Sequence, residues 1–171
     1  AFDRDLPLAP QRIRVGIVGT ARTVEGISRW LDRCRKGIAA KESRLINFFA
    51  AFPGFGSDTS LRADLVTDAT IQRTFSDRAV VIAAATDDRN ARVSCAVDLF
   101  LTEVASIAEK GGADVIICAV PLDLLVRMWE EAGDGNPAPE DAGATLDFHH
   151  MLKAHAMRNA PPLQIVLPMT Y

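Results

Sequence analysis

The chain has 171 residues, 49% of them hydrophobic, 24% charged and 6% aromatic, with a formal net charge of −3. That length fits one domain or at most two small ones, and so much apolar content excludes a disordered chain. No apolar run reaches the roughly 18 residues of a membrane-spanning helix, and the mild acidity by itself argues against a nucleic-acid partner.

Arg12–Gly19 reads RIRVGIVG, a β-branched strand. Thr23 offers an N-cap with Glu25 in the first turn, so a helix is predicted over Val24–Ile38, with Ile27, Trp30, Leu31 and Cys34 at helical spacing. Lys41–Phe52 reads as helical or irregular and ends at Pro53-Gly54, before a loop over Gly54–Thr59. Leu61–Thr67 is a candidate short strand and Ala69–Phe75 a candidate short helix.

Arg78–Ala85 reads RAVVIAAA, an unbroken apolar run that predicts a strand buried on both faces. Asp87 or Asp88 then caps a helix over Asn90–Lys110, stopped by Gly111-Gly112. Ala113–Val120 is the next buried strand, closed by Pro121. A helix over Leu122–Ala132, a loop over Gly133–Thr145 and a helix over Leu146–Asn159 follow. Pro161-Pro162 breaks that helix, and Gln164–Leu167 is a last strand. Alternating helices and continuous apolar strands predict a single Rossmann-like α/β domain, a mostly parallel sheet with helices on both faces. Ligands of such sheets bind outside the carboxyl ends of the strands. With no Met at its start and a strand-like run close to its end, the chain reads as a domain cut from something longer.

The net charge conceals opposed patches. Arg12–Arg44 holds nine Lys and Arg against Glu25, Asp32 and Glu42, whereas 130–147 holds six acids and no base. Cys34, Cys95 and Cys118 are odd in number and form no C-x-x-C. They predict a reducing compartment, hence a cytoplasmic location, and buried thiols rather than a nucleophile.

Gly16-Ile17-Val18-Gly19 is G-x-x-G and lacks the G-x-G-x-x-G spacing of a dinucleotide turn, so it reads as small residues at a strand end. No P-loop pattern occurs. The three histidines, His149, His150 and His155, lack the i, i+4 spacing of a zinc pair, so no metal is expected from them. Phe148, Met151, Leu152 and Ala156 form an apolar stripe. His155 falls within it and is expected to be partly buried. His149 flanks it, and His150 points away. His149 and Lys153 share one helical face, and Gln164 follows eleven residues after Lys153. The ring can stack on a base while Lys and Gln donate to phosphate oxygens. From spacing alone the default reading is an ordinary solvated helix face with a chance His-Lys pair.

Four segments carry a resemblance to a known family. They are RIRVGIVGT with the helix through WLDRCRKGIAAK, FPGF at Phe52–Phe55, ADVIICAVPLDLL at Ala113–Leu125, and FHHMLKAHAMRNAPPLQIVLPMTY at Phe148–Tyr171. Together the chain resembles the MID domain of prokaryotic Argonaute (Piwi-like) proteins over residues 1–171. The resemblance implies a Rossmann-like domain that anchors the 5′-phosphate and first base of a guide strand, in a prokaryotic defence protein. It assigns base stacking to His149, where the family often has Tyr. It assigns phosphate binding to Lys153 and Gln164, and a contact further along the strand to Thr170. A second phosphate-binding Lys is implied beyond Gln164, and none occurs up to Tyr171. The implied partners are single-stranded guide DNA or RNA with a 5′-phosphate and the PIWI domain of the same parent chain, with no membrane. Slicing would reside in that PIWI domain, so this chain is expected to be non-catalytic and to hold no cofactor of its own. A divalent cation at the phosphate belongs to the full-length protein. The competing reading is a Rossmann-like small-molecule or nucleotide-binding domain, or a regulatory half of an enzyme. Its site would be the Gly19–Thr23 turn, with Arg22 as the anion ligand.

Overall fold

A computed structural model describes residues 10–129 and 147–170. The predicted loop over Gly133–Thr145 lies outside them. Strand β1 (Arg12–Gly19) is the centre of a five-stranded sheet, and every strand pairing in it is parallel. On one side β1 pairs with β4 (Val115–Ala119), which pairs in turn with β5 (Leu163–Val166). On the other side two short strands share its length. β2 (Asp64–Val66) pairs with Arg12–Arg14, and β3 (Gln72–Thr74) pairs with Ile17–Gly19. A 3-10 turn at Ala69–Ile71, capped by Asp68, separates the two. The helix expected over Ala69–Phe75 is therefore that turn plus β3.

Helix α1 (Ala21–Lys36) covers one face of the sheet. Its cap is Thr20, three residues before the expected Thr23, so Glu25 lies beyond the first turn. Val24, Ile27 and Leu31 pack on Val15 and Ile17 of β1, Ile117 and Ala119 of β4, and Val166 of β5. The opposite face carries α2 (Asp77–Ala83), α3 (Arg89–Glu109), α4 (Leu122–Trp129) and α5 (Phe148–Asn159). Phe100 of α3 is fully buried at its centre. Its ring meets Phe75 at 5.0 Å and Phe148 at 5.7 Å, both edge-on.

Arg78–Ala85 is the clearest departure from expectation. It is helix α2, with Val81 and Ile82 67% and 65% exposed. A short apolar run has no period that separates a buried strand from a short helix. Here Ser76 decides, its side chain accepting from the Ala79 N–H at 3.2 Å while Asp77 occupies the first turn.

The segment after α1 is irregular apart from a 3-10 turn at Ile46–Phe48. It returns through FPGF to the end of α1. Ile38 bridges Phe52, and the Phe55 N–H donates to the Cys34 carbonyl at 3.1 Å. Gly54 has φ +89°, and a Cβ there would lie 2.7 Å from the Arg35 carbonyl, so this close return requires glycine. Cys34 and Cys118 are buried as expected, whereas Cys95 is exposed on α3. Among the described residues no helix is long and apolar enough to cross a membrane.

Candidate functional site

The carboxyl ends of β1, β4 and β5 open into a cleft of about 770 Å³. Thr20 and Thr23 line it at the first turn of α1, and Pro121 and Pro168 line it just past β4 and β5. One wall is α1 itself, through Arg22, Gly26, Arg29, Trp30 and Arg33. Successive 100° steps bring these five onto one side of the helix, next to the Val24–Ile27–Leu31 face that packs on the sheet. The other wall carries Asp77 and Asp123, each in the first turn of its helix, where the dipole favours an acid.

Thr20 builds the turn. Its hydroxyl accepts from the Thr23 N–H at 3.3 Å, and the Thr23 hydroxyl donates to the Thr20 carbonyl at 3.2 Å. Both threonines are buried. Gly19 lies beneath them, where an added Cβ would lie 2.9 Å from the Ala119 carbonyl. Strand and helix therefore approach closely at this point, which gives the small residue at the end of β1 a packing role.

Arg29 lies 3.9 Å from Glu25, with both side chains at least 70% exposed, a pairing that water largely screens. Among the described residues Arg22 and Arg33 have no ion-pair partner. The cleft thus has a cationic wall with free donors, and Arg22 is there as the nucleotide-domain reading expects. Arg29, Arg33 and Trp30 were not legible as site residues. Their signal is the 22-26-29-33 spacing, which marks one face only once the start of the helix is known.

The residues implied by the MID resemblance lie outside the lining of this cleft. Helix α5 is capped by Asp147, whose carboxylate accepts from the His149 N–H at 2.8 Å and the His150 N–H at 3.2 Å. Those hydrogen bonds, the His150 N–H foremost, hold the Asp147 carboxyl below its usual range. The Phe148–Phe100–Phe75 contacts put the start of α5 near the carboxyl edge of the sheet, since Phe75 hydrogen-bonds to Gly19 at the end of β1.

His149 is exposed and Lys153 half-buried, one turn apart on α5. Gln164 is exposed on β5, its Nε2 donating to the Ile165 carbonyl at 3.1 Å. Leu163 and Ile165 point to the α3 face and Val166 to the α1 face, so the pleat turns Gln164 towards the α1 face. Helix α5 and Gln164 therefore flank β5 from opposite faces. β5 is an edge strand, so its outer side is open between them among the described residues. Thr170 is exposed in the 3-10 turn Pro168–Thr170, two residues past a cleft-lining proline.

His155, expected to be partly buried, is exposed. Its Nδ1–H donates to the Met151 carbonyl at 2.8 Å, because a carbonyl can only accept. Leu152 and Ala156 are buried, while Phe148 and Met151 are only half-buried. The predicted stripe is thus only partly covered, and His155 lies outside its buried part. His150 is exposed, its Nδ1 3.2 Å from Asp147. No group of three or more His, Cys, Asp or Glu among the described residues is arranged to hold a metal ion. No protein-family model matches the chain, and no curated protein matches it significantly.

Proposed function

We propose that this domain holds the 5′-phosphorylated end of a single-stranded guide DNA or RNA, as the MID-like module of an Argonaute-type protein, and does no chemistry itself. The observation that carries the reading is the His149–Lys153 pair, one turn apart at the start of α5, beside the open edge of β5. On this reading a phosphate lies along that edge, with Lys153 donating from one face and Gln164 from the other after its amide leaves the Ile165 carbonyl. The exposed ring of His149 supports stacking on the first base, and Thr170 is available to the strand as it leaves. In the whole protein, a PIWI domain would complete the pocket and carry any slicing.

The test compares a 5′-phosphorylated oligonucleotide with its 5′-hydroxyl twin. The phosphorylated strand is expected to bind more tightly. Lys153→Ala or Gln164→Ala removes a charge-assisted contact of about 1.5–3 kcal/mol and shrinks the difference accordingly. Equal binding of the two strands overturns the reading. The competing one, a small-molecule or nucleotide site at the Gly19–Thr23 turn with Arg22 as the anion ligand, is favoured by the cleft itself. It predicts that affinity does not change with strand length.

A further inference from the structure

We infer that the cleft along α1 is a second nucleic-acid site, one that grips the internal phosphodiesters of a single strand and stacks one of its bases on Trp30. The inference goes beyond the end-anchor and uses none of its residues.

The cationic wall has a length. Arg22 and Arg33, with Arg29 between them, lie eleven helical steps apart, about 16 Å at 1.5 Å per residue. The 5′-phosphate of a mononucleotide meets one level of that wall, whereas a strand of several nucleotides meets all three arginines. Arginine suits the task, because its planar fork takes two phosphate oxygens at once. Trp30, half-buried against the α1-face core, also lines this wall between Arg22 and Arg33, and the side it turns to the cleft supplies the aromatic plane that sequence-independent strand binding uses. Gly26 leaves the middle of that wall without a side chain. Glycine is the poorest non-proline residue inside a helix, so its place there costs stability and leaves room. The buried Thr20–Thr23 turn closes one end, where the first N–H groups of α1 add partial positive charge.

Asp77 and Asp123 face this wall from α2 and α4. They repel an anion that crosses the cleft and so confine a phosphate chain to the α1 side. An acidic peptide would meet the same arginines but would leave Trp30 without a stacking partner. A single strand uses both.

The test uses a labelled thymidylate dodecamer with a 5′-hydroxyl end, which gives the end-anchor no terminal phosphate. Binding is followed by anisotropy across a salt series. The triple variant R22Q/R29Q/R33Q changes exposed side chains only. It is expected to bind at least tenfold more weakly at low salt. It also flattens the plot of log affinity against log salt by about 2, since each single-strand phosphate contact contributes about 0.7. Lys110→Gln, which removes an exposed cation at the end of α3 and outside both sites, should leave that slope unchanged. In a Trp129→Phe background the dodecamer is expected to quench the Trp30 emission.

An unchanged slope and affinity in the triple variant overturns the inference, and so does unquenched Trp30. Competition by thymidine 5′-monophosphate or by polyglutamate as effective as that of the unlabelled dodecamer overturns it too. The two sites fail separately. Loss of 5′-phosphate preference in Lys153→Ala with an unaffected triple variant leaves only the end-anchor standing, and the reverse pattern leaves only this cleft.

Discussion

Arg14 and Asp114, one hundred residues apart, exchange two hydrogen bonds. The Arg14 N–H donates to Asp114 Oδ2 at 2.7 Å, and the Asp114 N–H donates to the Arg14 carbonyl at 2.8 Å. They sit one step before the Val15–Val115 pair and so start the β1–β4 ladder in register. A slip of one residue would turn each inward side chain outward. It would also move Pro121 relative to Thr20 across the cleft.

Asp114→Ala should therefore lower stability by about 0.5–1.5 kcal/mol, towards the low end because water can replace the carboxylate at this exposed site. For a domain of this size, 1 kcal/mol corresponds to a fall of about 2–4 °C in Tm. Asp114→Asn keeps an acceptor and should recover most of it. Equal melting of wild type and the alanine variant would show that the side chain does not pin the register.

Gly19→Ala tests the close approach beneath the cleft. The new methyl would collide with the Thr23 hydroxyl and sit 2.9 Å from the Ala119 carbonyl. Thr23 can rotate, at the loss of its bond to Thr20, but the β4 backbone cannot yield. Overpacking of this kind costs about 1–3 kcal/mol. A denaturant midpoint equal to that of wild type would show that β1 and β4 give way here.

Asp147 caps the helix that carries His149 and Lys153. Its pKa is lowered in the folded chain, so the stability it adds is complete above its ordinary value of 3.8 and is lost as pH falls through the lower folded value. Asp147→Ala should cost about 1 kcal/mol at neutral pH. Urea midpoints of wild type and variant should converge as the pH falls below that ordinary value. A gap that persists in strong acid would mean that the cap does not act through its ionised form.

The three thiols should separate by reactivity. Cys95 is exposed and should react with a maleimide first under native conditions. Cys34 and Cys118 are buried, and burial raises both pKa values, although Arg33 and Arg35 partly offset this at Cys34. Peptide mass mapping after brief labelling reads the order. Early modification of Cys118 would mean that the sheet opens readily between β4 and its neighbours.

Where a cap residue adjoined a clear apolar period, the sequence was legible. β1 ends as expected at Gly19, and α3 starts at Arg89 under the Asp88 cap. Helix α2 departs from the expected strand because its cap, Ser76, stands two residues before the apolar run, outside the window whose composition reads as a strand. Gly111, at φ +61°, was legible as a stop because a left-handed residue favours glycine. The cleft was only half legible. Arg22 and the Gly19–Thr23 turn were visible locally. Asp77, Asp123 and Pro168 reach the same space only through the parallel crossover order, which no local spacing encodes.

Helix α1 is the only helix packed on its face of the sheet among the described residues, and its two sides do separate jobs. Val24, Ile27 and Leu31 close the core, while the arginines look into the cleft from the neighbouring side. The exposed charges of Arg22, Arg29 and Arg33 can therefore be reversed or removed without touching a buried contact. Folding rests on one side of this cylinder, and the cleft-facing charges can be varied on the other while the sheet beneath stays the same.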